Sequence, residues 1–230
     1  MAKNKRVEKQ ERRAQAERLR AEAKRAERRR NLIAYGSAGL VALLILGLAI
    51  IPPIWKSAHD PAKKPLDKLG VSATAADCTD VTVTDTRRDH VTKPVTDYKN
   101  IPPASGPHFN NESSPDTSAT HWYGPSYKTT VETYVHNLEH GYLVLWYAPD
   151  LSKADQKTLE AIANRAAKDR TAAKVKAVPW PKDRGAFPSG KKVAVTFWGF
   201  EQTCGQISGA AIEKFSKAHP VSKAPEPTSP

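Results

Sequence analysis

The chain has 230 residues with 36 Lys and Arg against 24 Asp and Glu, a formal charge of +12. Residues 1–31 hold 13 of the basic and 5 of the acidic residues, a surplus of eight, so 23 against 19 remain for everything that follows. The basic excess belongs to one end and gives no support for nucleic acid as a partner of the rest. About 140–150 residues are left for folding once the basic, apolar and polar leading segments are set aside, which suits one domain and excludes a second.

Taken in chain order, residues 1–31 form a basic arm of good helix formers. Glu17/Arg20, Glu22/Arg25 and Glu27/Arg30 are spaced for same-face pairing, and there is almost no apolar stripe. Such an arm is partly helical and is drawn to anionic lipid headgroups by about 1 kcal/mol for each nearby basic residue.

Leu32 to Ile51 carry no charge and are followed by Pro52-Pro53. At about 1.5 Å per residue the run spans roughly 30 Å, the hydrocarbon thickness of a bilayer. Residues 32–54 are therefore expected to be a single transmembrane signal anchor in the plasma membrane. Arg28, Arg29 and Arg30 before it, with Trp55 and Lys56 after it, place the N-terminus in the cytoplasm and the remainder outside. A cleaved signal peptide would need a shorter apolar run and small residues at a cleavage site, which PPIWKSAHD does not supply.

Residues 55–76 are polar and without period and read as a linker, residues 77–219 as the extracytoplasmic domain, and residues 220–230 as a Pro-rich disordered tail. Within the domain Val81–Thr84 alternates like a strand, while Tyr142–Tyr147 and Val193–Phe200 give the strongest strand signals and are placed at the sheet's centre. Ser152 caps a helix over about 153–169, Ala173–Val178 returns as a strand, and Ile207–Ala218 closes the domain as a helix with Ile212 and Phe215 inward. The order argues for a compact α+β domain with a small, mainly antiparallel sheet and two helices. The Pro-, Asn- and Ser-rich stretch Thr92–Lys128 carries Phe109, Trp122, Tyr123 and Tyr127 and is expected to pack over the sheet as ordered irregular structure. Cys78 and Cys204 are expected to pair, closing a long loop in an oxidising compartment. The alternative, two thiolates on a metal, lacks the usual C-x-x-C or C-x-x-H spacing.

Five of the seven histidines fall between residues 90 and 140. His136 and His140 in VHNLEHG are four apart, so on a helical turn both imidazoles share one side and could share a metal ion. Glu139 between them could ligate, act as a base, or orient a ring nitrogen. The alternative is a buried turn in which the histidines merely brace the fold. His136 to His140 also spells H-x-x-E-H, a metalloprotease pattern, but that motif sits inside a long helix, whereas Gly141 and a β-rich run follow here at once. Upstream, Pro102 to His108 (PPASGPH) presents a histidine on a stiff, sharply turning backbone. Ser105 and Ser208 lack the context of a catalytic nucleophile, so a non-enzymatic role is favoured over an enzyme.

PPASGPH and VHNLEHG together, with His90-Val91 upstream, WYGPSY at 122–127 and the late Trp-Gly before Cys204, resemble the signature segments of the domain of unknown function 3105 family of membrane-anchored bacterial proteins. The resemblance covers about Asp89 to Phe215 and implies that His90, His108, His136 and His140 belong to one pattern. His59, His121 and His219 lie outside it and are read as solvated. The resulting expectation is a tethered extracytoplasmic domain that binds copper or zinc through those four histidines, with Glu139 and Asn137 in supporting positions behind them. The competing expectation is an envelope structural module that binds a protein partner.

Overall fold

The computed structural model describes residues 2–58, 64–84 and 87–230, and the chain divides into two units, Met1–His59 and Asp60–Pro230. The first unit is one helix, α1 (Ala2–Ala58), which covers the basic arm and the apolar run without a break. Its stretch Glu17–Pro52 is long and apolar enough to cross a membrane. Leu43 and Leu48 on it are 72% and 75% exposed. The sequence reading bounds the anchor at residues 32–54, whereas α1 continues to Ala58. The prolines remove two backbone donors, which weakens that turn without dictating where the helix stops.

In the second unit the elements in chain order are β1 (Thr82–Val83), β2 (His90–Val91), β3 (His108–Phe109), α2 (Val131–Glu139), β4 (Leu143–Tyr147), α3 (Lys153–Asp169), β5 (Val175–Pro179), β6 (Val193–Phe197), β7 (Phe200–Cys204) and α4 (Gly209–Ala218). A mixed five-stranded sheet has the order β1-β7-β6-β4-β5, and β2 with β3 makes a separate two-stranded ribbon. The sheet's neighbours are antiparallel except β4 and β5, which run parallel with Leu143 opposite Val175. That one parallel pair follows from α3, which carries the chain back over the sheet between the two strands. Every residue of β4, β5 and β6 is buried, which is why these strands read as continuous apolar runs rather than as alternating ones.

Among its described residues the domain carries three α-helices where the sequence reading has two. All nine residues of α2 are buried, so no polar face betrays a helical period. Its Thr130 N-cap makes no side-chain hydrogen bond, and the β-branched and aromatic residues of VETYV are indifferent helix formers. Residues 193–200 are not one strand but the start of a hairpin: Phe197 pairs with Phe200, and Gly199 takes φ 80° in the two-residue turn.

Of the 55–76 stretch, residues 55–58 end α1, while residues 64–76 belong to the domain and are not a tether. Leu66 and Leu69 are each only 4% exposed within the core. Backbone bonds from Val71 N to Ile207 O (3.0 Å) and from Gly209 N to Leu69 O (2.8 Å) dock it on the start of α4. A Cβ at Gly209 would stand 1.9 Å from the Leu66 carbonyl oxygen, so only glycine permits that approach. His59 lies outside the described residues. Residues 220–230 are likewise folded rather than disordered: Lys174 Nζ donates to the carbonyls of Pro227 (3.1 Å) and Ser229 (2.6 Å), and Val221 and Ala224 are buried. Proline there sets an extended path that the domain surface then holds.

Cys78 and Cys204 form a disulfide across 126 residues. The stretch from Thr92 lies along the sheet as expected: Trp122 stacks on Tyr147 with centroids 4.8 Å apart. Bonds from Ala177 N to His121 O (2.8 Å) and from Tyr123 N to Ala177 O (2.9 Å) cover the outer edge of β5, an edge that would otherwise be free to pair with another chain.

A histidine and glutamate centre

Three short segments converge on one place. In the parallel ribbon His90 stands directly opposite His108, and paired residues of neighbouring strands project to the same face. Helix α2 adds His136 and Glu139, three residues apart and hence neighbours on the helix surface. The imidazole centroids of His90, His108 and His136 lie 5.0, 5.7 and 4.8 Å apart in pairs.

Each ring is oriented by its surroundings. Gly106, at φ 119°, makes the turn that no other residue makes without strain, with the Tyr98 ring 3.2 Å from where a Cβ would stand. Tyr98 Oη donates to the Pro107 carbonyl at 2.6 Å, and the Ala104 carbonyl accepts from Gly199 N at 3.0 Å. His108 Nδ1 then lies 2.9 Å from the Gly106 carbonyl oxygen. A carbonyl can only accept, so Nδ1 carries a proton and Nε2 is the ring atom turned toward the group. The Trp198 ring meets His108 edge-on at 5.9 Å. His136 Nδ1 faces Ser114 Oγ at 3.3 Å, and that hydroxyl donates onward to the Phe109 carbonyl at 2.8 Å. Burial, then the neighbouring His108 and His140, pull the His136 pKa down to about 4, so this imidazole is neutral and able to ligate at neutral pH.

Glu139 completes the group. Burial pushes its carboxyl up, but His108 and Arg88 outweigh burial and hold it at about 2, so it is ionised. Arg88 Nε donates to Oε1 in a close ion pair. Oε2 is left facing His108 Nε2 at 2.9 Å and His90 Nε2 at 3.9 Å. The 2.9 Å contact has the length of a hydrogen bond but not its alignment, and neither atom has another hydrogen-bond partner although both are buried. Two enclosed polar atoms at that separation are satisfied either by a proton held between them or by a metal cation. Ligand atoms on adjacent positions around an ion with bonds of about 2.0–2.1 Å lie roughly 2.9–3.4 Å apart.

One ligand atom from each of His90, His108, His136 and Glu139 falls within 4.8 Å of all the others, so this His/Glu group could hold a metal ion. Three members are almost fully enclosed, while the His90 side chain is 49% exposed and opens the group to solvent.

His140 is placed differently from the pattern implied by the sequence. Its ring touches His136 edge-on at 4.5 Å, but it follows the last turn of α2, and its ligand atom groups with Glu139 and Glu226 instead. Glu139, expected behind the histidines, stands among them. Asn137, expected beside it, is turned away and clamps residue 116: its Oδ1 accepts from Asp116 N at 3.1 Å and its Nδ2 donates to Asp116 O at 2.9 Å. On a helix, neighbouring positions point about 100° apart, so His136 and Asn137 cannot share a target.

His121 and His219 are not free in solvent. His121 is half-buried with Nδ1 3.0 Å from the Val175 carbonyl. His219 is 8% exposed, with Phe200 and Phe215 at 4.3 and 4.5 Å. Arg88 and Glu226, absent from the sequence reading, both reach the centre. Arg88 sits two residues before His90 with no pattern to mark it, and Glu226 lies in the stretch read as disordered.

Neither a curated protein nor a solved structure matches the chain. The family model described as Protein of unknown function (DUF3105) matches residues 90–230, a span that begins at the first imidazole of the centre and includes every residue of it but Arg88, and the chain belongs to that family.

Proposed function

We propose that this is a membrane-anchored, extracytoplasmic protein that binds a transition metal ion through His90, His108, His136 and Glu139. The observation that carries the reading is the convergence of four ligand atoms within 4.8 Å of one another, two of which, His108 Nε2 and Glu139 Oε2, are enclosed and without hydrogen-bond partners. Three imidazoles and a carboxylate are borderline donors that suit zinc or copper(II). Among the described residues the two cysteines are consumed in a disulfide, so thiolate ligation is unavailable. Helix α1 supplies the anchor, with the basic arm on the cytoplasmic side against anionic lipid, as the charge asymmetry around the apolar run supports.

The test is metal uptake by the purified full chain in detergent, equilibrated with zinc or copper(II) and freed of excess, with content and affinity measured by atomic emission and calorimetry. Wild type takes up the ion, and His108→Ala and His136→Ala each weaken binding at least a hundredfold. Equal uptake by wild type and a His108→Ala/His136→Ala double variant removes the reading.

A second reading rests on a specific observation: Arg88 already neutralises Glu139, so the His–Glu–Arg group could brace an envelope interaction module without any ion. It calls for identical melting temperatures of wild type with zinc and with chelator.

A further inference from the structure

The metal centre has an annex. Glu139, His140 and Glu226 form a second group whose ligand atoms lie within 4.8 Å of one another, and Glu139 belongs to both groups. His140 Nδ1 lies 2.7 Å from the Pro230 backbone oxygen, and its Nε2 is turned toward Glu226 Oε2, 3.4 Å away. The Glu139 carboxylate beside it is 99% buried and shared with the histidine group, which its Oε2 faces. A cation is nevertheless already at hand. Arg88 donates from Nε to Glu139 Oε1 and from Nη2 to Glu226 Oε1 at 2.7 Å, spanning the two carboxylates.

We propose that Arg88 is a built-in cation standing in a second metal position made by Glu139, His140 and Glu226, so that the centre takes one metal ion where it would otherwise take two. The inference rests on the metal-binding reading above. Two carboxylates and one permanently charged guanidinium leave one negative charge, which a single divalent ion in the histidine group more than balances. A second divalent ion would have to sit against a guanidinium bonded to both of its carboxylates, and like charges a few ångströms apart repel, with solvent softening the repulsion where Arg88 and Glu226 are 48% and 39% exposed.

Without the guanidinium one divalent ion still balances the two carboxylates overall, but it sits in the histidine group, to which Glu226 does not belong, so the Glu226 charge is left to draw a second ion into the annex. The annex does not depend on Arg88 for its shape. Glu226 is held by its own backbone N–H on the Glu139 carbonyl at 3.0 Å, and Lys174 Nζ pins His140 O at 2.8 Å together with the carbonyls of Pro227 and Ser229.

The experiment is zinc stoichiometry on the full chain in detergent, for wild type, Arg88→Met, Arg88→Lys and the double variant Arg88→Met/Glu226→Gln. Folding is checked by circular dichroism, and Arg88→Gln replaces Arg88→Met if the latter does not fold. Wild type and Arg88→Lys bind one zinc per chain, Arg88→Met binds two, and the double variant returns to one. Two zinc ions in wild type, or one in a folded Arg88→Met or Arg88→Gln chain, overturns the proposal while leaving the metal-binding reading intact. No zinc in wild type overturns that reading and this inference with it.

Discussion

His108 Nε2 and Glu139 Oε2 meet at 2.9 Å inside the domain, with the two side chains 0% and 1% exposed. An enclosed pair of this kind is costly to break from one side, because the remaining partner is stranded without water. Glu139→Ala is therefore expected to lower the unfolding free energy of the metal-free protein by about 2–4 kcal/mol. Urea denaturation with chelator present checks this, and a loss under about 1 kcal/mol would mean that His108 gains nothing from the carboxylate.

Gly106 controls the aim of His108. Its φ of 119° is open only to glycine, and the Tyr98 ring lies where a side chain would go. Gly106→Ala is expected to cost about 1–3 kcal/mol of stability and to weaken zinc binding by at least tenfold, since the displaced carbonyl no longer fixes the ring. Zinc affinity equal to wild type in a folded variant would show that the turn does not position the ligand.

Asn137 offers the contrasting case. Asn137→Ala leaves the Asp116 backbone N–H and C=O without the two bonds they make to its amide, at about 1–3 kcal/mol. Zinc affinity should change less than threefold, because the amide points away from the centre. A loss of affinity larger than the loss of stability would return Asn137 to the site.

Asp116 should make the domain acid-sensitive. Burial raises its carboxyl pKa, but Tyr123, Ser118 and Lys176 outweigh burial and hold it below the usual range. Lys176 Nζ is 3.1 Å away and fully buried. A carboxylate depressed in the folded state stabilises fully above its unfolded pKa of about 3.9 and loses that stabilisation as pH falls through the folded value. The stability difference between wild type and Asp116→Asn is expected to be constant from pH 7 to about 5 and to shrink steadily below about 4. A difference that stays level to pH 2 would deny the shift.

Periodicity and residue chemistry carried much of the domain. Ser152 announces α3, whose bounds Lys153–Asp169 follow the expected helix closely, and its hydroxyl accepts from Asp155 N at 3.1 Å. The apolar run 142–147 similarly contains β4. Helix α2 escaped because burial on all sides leaves no alternation to read. Of the centre, the His90, His108 and His136 trio could be named from motifs, but its two carboxylates could not be ranked. Whether Glu139 stands in or behind the group depends on a three-residue helical offset against a ribbon formed elsewhere, which spacing along the chain does not encode. Glu226 was beyond reach for a related reason: a proline-rich stretch has the composition of a loose end, and what holds it down, Lys174 on its carbonyls and its own N–H on the Glu139 carbonyl, comes from residues far away in the sequence.

The two-rung ribbon that sets His90 beside His108 brings together residues 18 apart, and His136 of α2 follows 28 residues later still. No short fragment of the polypeptide contains all four members of the group. On the metal-binding proposal a partly synthesised chain offers an ion only scattered donors, so capture would have to await closure of the ribbon against the helix, and topology would set its timing.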